Sequence, residues 1–133
     1  MSWQVRTPLP KLVARRRENA ERLTKNLKKA KRLQLPEEPK GFKCSWYLYT
    51  VRLKNADRTK RDRLVEKLKQ KGIGAFVCYA NPIHLMPYYR KFGKYRLPET
   101  EKASKQVFSL PVHPGVTAEQ IGFITDTVLH LLK

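Results

Sequence analysis

Between Cys78 and Arg90 the sequence gathers the side chains best suited to chemistry on a small polar ligand: Tyr79, Asn81, His84, Tyr88, Tyr89 and Arg90. His84 can donate a hydrogen bond or exchange a proton near neutral pH, and Arg90 can hold a phosphate with its planar fork. The phenols of Tyr79 and Tyr88 combine an apolar body with a polar tip, as cleft-lining residues do. Asn81-Pro82 is a turn dipeptide, so Asn81 is expected to shape the loop first and to touch a ligand second. The plainer readings are that His84, between Ile83 and Leu85, packs half-buried, and that Arg90 is solvated in a basic chain.

Such a loop needs a scaffold. The apolar run Ile73 to Tyr79 reads as the short strand that delivers it. Upstream, Thr7-Pro8 opens a long helix whose apolar positions Leu9, Val13, Ala20, Leu23, Leu27 and Ala30 recur at three- and four-residue steps. So thin a seam must lie against the same domain or another chain, with Glu18-Arg22 and Glu21-Lys25 adding support along the helix. Pro36 and Pro39 are expected to end this helix and start a connector. Cys44 to Leu53 reads as a strand apolar on both faces, and therefore central. A helix from about Thr59 to Lys71 follows, closed by Gly72 in a left-handed conformation. Leu85 to Phe92 forms a helical turn, Leu97 to Lys105 a short helix and Val107 to Leu110 a strand. Thr117 and Gln120 form a capping box that starts a final helix with Ile121, Ile124, Val128 and Leu131 inward. The predicted fold is α+β: a small three-stranded sheet packed with helices and preceded by a long N-terminal helix. Residues 1–40 form a linking helix and connector and 41–133 an α+β small domain, one structural domain overall.

At 133 residues the chain can bury a core but is too short for catalytic architectures that need about twice that length. Its 29 Lys and Arg against 11 Asp and Glu give a net charge of +18. That field attracts phosphates, nucleic acids, anionic membranes or an acidic protein. Cys44 and Cys78 fall in strand-like runs without metal-site spacing, so zinc is not expected and both read as buried thiols, bridged only if their strands are neighbours. The start lacks an apolar leader pattern and no run is long enough to span a bilayer, which predicts a soluble, cytoplasmic chain without membrane contact.

No nucleophile elbow, Walker loop, dinucleotide fingerprint or His-Glu-x-x-His occurs, and the acidic residues read as solvated helix faces. Six stretches in register do point somewhere. Arg16-Arg17-Glu18-Asn19-Ala20, Ser45-Trp46-Tyr47-Leu48-Tyr49, Arg61-Asp62-Arg63-Leu64 with Gly72-Ile73-Gly74, Tyr79-x-x-Pro82-x-His84, Leu97-Pro98-x-Thr100-Glu101-x-Ala103 and Ser109-Leu110-Pro111-x-x-Pro114 running on to Thr117-x-Glu119-Gln120-Ile121 form the pattern. Together they resemble the C-terminal part of the DegT/DnrJ/StrS-type sugar aminotransferases, pyridoxal-phosphate enzymes of fold type I.

The resemblance implies a small domain that packs on a large pyridoxal-phosphate domain and closes one side of its cleft. Tyr79, Asn81, His84, Tyr88 and Arg90 would then line that cleft as substrate contacts, with no catalytic, cofactor-binding or metal-binding residue in this chain. The family's cofactor-anchoring lysine, its pyridine-holding aspartate and its phosphate-binding segment have no counterpart in the sequence. The chain alone is therefore expected to bind no cofactor and to be inactive, acting beside a large domain or chain in amino-sugar synthesis. Two alternatives stand beside this reading. One is a basic nucleic-acid-binding module, suggested by the net charge, the Arg15-Arg16-Arg17 run and the aromatics Phe42, Tyr88, Tyr89, Phe92 and Tyr95. The other is a structural module that makes a homodimer through the first helix.

Overall fold

A computed structural model describes residues 8–133. The first helix, α1, spans Leu9–Leu27 and opens with Pro8 at its N-cap; Thr7 lies outside the described residues. The expected seam is real over its second half. Ala20, Leu23 and Leu27 are buried and α1 packs along the last helix, whereas Leu9 remains exposed. Glu18 pairs with Arg22 at 2.6 Å, while no Glu21–Lys25 pair forms among the described residues.

The helix ends well before Pro36. The chain turns over Lys28 to Arg32 and enters β1, Leu33–Gln34, which pairs antiparallel with β2, Tyr49–Leu53, matching Leu33 to Leu53. That short strand was not expected from the sequence. Ladder hydrogen bonds and the burial of Ala30 and Leu33 outweigh another helical turn.

The strand predicted from Cys44 forms only from Tyr49 onward. Trp46 takes a positive φ of 51°, which breaks extended pairing, and its indole folds into the core 5.7 Å from the Tyr49 ring. Side chains of α1 hold this irregular segment instead: Arg16 donates to the Trp46 and Tyr47 carbonyls, and Arg17 donates to the Cys44 carbonyl. Cys44 and Cys78 are exposed free thiols, not buried or bridged ones.

β2 is central in sheet order, between β1 and β3, Val107–Leu110, in a fully antiparallel three-stranded sheet. Its two faces differ, however. Tyr49, Val51 and Leu53 are buried opposite Leu110 and Phe108, whereas Thr50 meets Ser109 through a 2.9 Å hydroxyl contact on the other face. The apolar face merges into one core with α1, α2 (Arg58–Gln70) and the last helix, through Leu64, Val65, Leu68, Ile121, Ile124 and Val128. Asp57 caps α2 by accepting from the Lys60 amide, and Gly72 takes the expected positive φ, 80°, just past its end. The predicted strand from Ile73 is reduced to a single bridge, Phe76 with Ser109, on the far side of β3.

Three short helical pieces follow: a 3₁₀ turn Ile83–Leu85, α3 (Pro87–Arg90) and α4 (Pro98–Ser104). The capping box of Thr117 and Gln120 starts α5, Ala118–Leu131, whose Ile121, Ile124 and Val128 are buried as expected and whose Leu131 is partly so.

Candidate functional site

The loop between Phe76 and α4 is pinned from below at two points. Arg58, the first residue of α2, donates to the Ala80 carbonyl at 3.0 Å and to the Asn81 Oδ1 at 3.2 Å, so the Asn81-Pro82 turn is tied to the helix. Glu101, in α4, receives the Leu97 amide at 3.1 Å and faces His84 Nε2 at the same distance. These two hydrogen bonds, the histidine's before the amide's, hold the Glu101 carboxyl below its ordinary range. The His84 side chain is 9% exposed, and among the described residues Nδ1 has no protein partner. The ring is thus fixed by one nitrogen and leaves the other for a ligand.

Above this floor lies an open groove of about 470 Å³, lined by Tyr79, Asn81, His84, Tyr89, Phe92 and Tyr95 together with Pro82, Ile83, Leu97 and Thr100. Tyr79, Ile83, Tyr88, Phe92 and Tyr95 are each more than half exposed. Tyr79 makes no hydrogen bond among the described residues. A contiguous exposed aromatic surface of this kind marks an interaction site more often than a bare face of a folded monomer. Gly93 allows its shape: with φ of 151°, its position passes the Tyr95 ring so closely that a Cβ would lie 2.9 Å from it.

The geometry brings Tyr79, Asn81 and His84 to one groove. Tyr88 and Arg90 are exposed on α3 outside its lining; Tyr88 stacks edge-on with Tyr89 and Phe92, and the Lys91 ammonium sits 3.9 Å from its ring centroid. Two contributors escaped the sequence reading, Arg58 and Glu101. Glu101 stands within the Leu97-Pro98-x-Thr100-Glu101 stretch, where its helical setting suggests a solvated face, and nothing local signals a partner seventeen positions away. Other family-like residues turn out to hold the frame. Asn19 donates to the carbonyls of Val112, His113 and Val116, and Arg61 to those of Ser104 and Val107.

The groove does not by itself suit pyridoxal phosphate. No lysine or carboxylate belongs to its lining, so no residue there can anchor the aldehyde or hold the pyridine nitrogen. Among the described residues no helix is long and apolar enough to cross a membrane and no group of side chains could hold a metal ion.

Residues 7–129 match the family model described as the DegT/DnrJ/EryC1/StrS aminotransferase family. A pleiotropic regulatory protein of Geobacillus stearothermophilus is 34% identical over 74% of this chain and 26% of its own length. The dTDP-4-dehydro-2,3,6-trideoxy-D-glucose 4-aminotransferase of Saccharopolyspora spinosa is 30% identical over 89% of this chain and 29% of its own. Among solved structures, the aminotransferase TlmJ of Streptoalloteichus hindustanus superposes with a TM-score of 0.82 at 32% identity, over 94% of this chain and 34% of that one. DesV of S. venezuelae, solved with a ketimine intermediate, gives 0.84 at 28% identity over 93% and 33%. The chain spans about a third or less of the length of these relatives.

Proposed function

The chain belongs to the DegT/DnrJ/EryC1/StrS aminotransferase family, and we propose that it supplies one wall of the active-site cleft of a pyridoxal-phosphate-dependent sugar-nucleotide aminotransferase. In this reading residues 1–40 are the linking helix and connector, with β1 added to the sheet's edge, and 41–133 are the small domain. A large domain or chain brings the cofactor and its lysine, and the assembled enzyme works in the cytoplasm.

The observation that carries the reading is His84, clamped by Glu101 at the floor of an exposed aromatic groove that has contacts for a ligand but no group to anchor the cofactor. Tyr79, Asn81 and His84 meet the sugar nucleotide there. Tyr88 and Arg90, on the outer side of the same loop, meet it or the large domain where the two bodies adjoin. His84 donates or accepts at Nδ1 and orients the substrate; it is not the proton-transferring base. Without its large partner the chain is silent.

The test is a chimera in which this chain replaces the matching third of the S. spinosa aminotransferase. A folded, cofactor-loaded chimera should transfer an amino group to the keto sugar nucleotide, and His84→Ala should raise KM more than it lowers kcat. A loaded but inactive chimera would overturn the assignment. So would the isolated chain developing the visible absorbance of a lysine-bound cofactor at one equivalent of pyridoxal phosphate.

A further inference from the structure

A second surface lies on the other side of the sheet from the loop. The loop leaves beyond β3, at Phe76, whereas this surface surrounds β1 at the opposite edge. From Lys29 to Arg32 the chain carries three cations, Lys29, Lys31 and Arg32, whereas Lys25 and Lys28 line a separate depression beside Glu21, Glu37 and Glu38. The fold adds two more. The Lys54 amide donates to the Arg32 carbonyl at 2.8 Å, and Lys133 shares with Lys29, Lys31 and Arg32 the lining of a depression of about 400 Å³ between the turn that follows α1 and the end of α5. Among the described residues none of these five cations takes part in an ion pair, whereas Arg15, Arg17, Arg22 and Arg61 all do. Lys29, Lys31, Arg32, Lys54 and Lys133 are all exposed.

We propose that this lysine-rich face binds the phosphate backbone of double-stranded nucleic acid. Bringing the five unpaired cations Lys29, Lys31, Arg32, Lys54 and Lys133 onto one end of a small fold costs repulsion, which an anion with closely spaced charges relieves. The composition selects among anions. Protein interfaces are depleted in lysine and enriched in aromatics, and no exposed large apolar residue belongs to these segments. Single strands are held by stacking on aromatic side chains, which this face also lacks. A backbone-only contact to a duplex, without sequence preference, is what lysine point charges on a short helical end can make. The inference does not depend on the aminotransferase reading.

The experiment is fluorescence anisotropy of a labelled DNA duplex against the full chain over a salt series. A variant with Lys29, Lys31, Lys54 and Lys133 all changed to Gln is compared with one in which Lys60, Lys67, Lys69 and Lys71 of the α2 region are changed. The second set is equally exposed and loses the same charge, but is interrupted by Asp62 and Glu66. If the four lysines each neutralise a phosphate, the slope of log K against log salt becomes shallower by about 3 to 4 in the first variant. The control should lose less than about 1. Equal losses in both variants would overturn the proposal in favour of diffuse attraction by net charge. Absence of duplex binding at low salt, or tighter binding to phosphatidylserine-containing vesicles than to duplex, would overturn it as well.

Discussion

Arg61 offers the sharpest test of how the scaffold holds its loop. Its side chain is 1% exposed on α2, with Nη1 donating to the Ser104 carbonyl at 3.0 Å and the Val107 carbonyl at 2.7 Å, and Nε donating to Asp62 at 2.6 Å. These carbonyls mark the end of α4 and the start of β3, so the guanidinium joins helix, sheet and the helix that carries Glu101. Arg61→Met keeps much of the aliphatic volume and removes the donors. Hydrogen bonds from a charged group contribute about 1.5–3 kcal/mol each, and two are lost to carbonyls shielded from water. Against that, the variant no longer buries a cation whose only carboxylate partner among the described residues is half exposed, a cost of several kcal/mol before compensation. The net expectation is a loss of about 2–3 kcal/mol, or roughly 10 °C in Tm for a domain of this size. Urea unfolding followed by far-UV circular dichroism should show a lower midpoint with an unchanged slope. Arg61→Lys should recover only part of the loss, because one ammonium cannot reproduce the fork. A loss below about 0.5 kcal/mol for Arg61→Met would show that the two carbonyls find water and that the clamp reasoning is wrong.

Further expectations follow from the same structure. Asn19 is 2% exposed and donates to three carbonyls, so Asn19→Leu should cost about 1–3 kcal/mol in chemical denaturation. Asn19→Asp should cost more, and its deficit should shrink as acid protonates the new carboxyl; a deficit independent of pH would count against the assigned contacts. Glu38 is held at a pKa of about 2 by its bidentate hydrogen bond with Arg17 and then by the Cys44 amide. Its folded value is depressed below 4.5, so its contribution is present above that pH and is lost as pH falls toward 2. Glu38→Gln should therefore flatten the acid limb of a stability-versus-pH curve in that window, and a superimposable limb would refute the assignment. Gly93→Ala should destabilise by about 1–3 kcal/mol, read by thermal melting, because a φ of 151° strains any residue with a side chain, while the exposed Tyr95 ring can swing aside.

What was legible in the sequence was local. The capping box at Thr117, Gly72 after α2 and the buried spacing of α5 each depend on residues within a turn or two of one another. What was hidden was decided by partners far along the chain. β1 is two residues long and exists because β2 offers it an edge. Trp46 lies in a run that looks extended, yet it turns because arginines of α1 satisfy the carbonyls around it. Cys44 and Cys78 followed the same mistaken strand assignment to an exposed result. The loop itself was recognisable from Tyr79, Asn81 and His84, but not Arg58 and Glu101, since surface charges in a chain this rich in them give no sign of which ones are occupied.

In the proposed assembly Glu101 also changes what docking requires of this loop. By joining His84 to the amide of Leu97 it closes an excursion of the chain whose ends would otherwise fluctuate independently. Part of the conformational entropy that an aromatic loop normally loses on meeting a partner has therefore already been lost during folding. Glu101→Ala would leave the groove's composition unchanged but return that freedom, so weakened association would show mainly as an entropic penalty in calorimetry, with the contacts at the interface conserved.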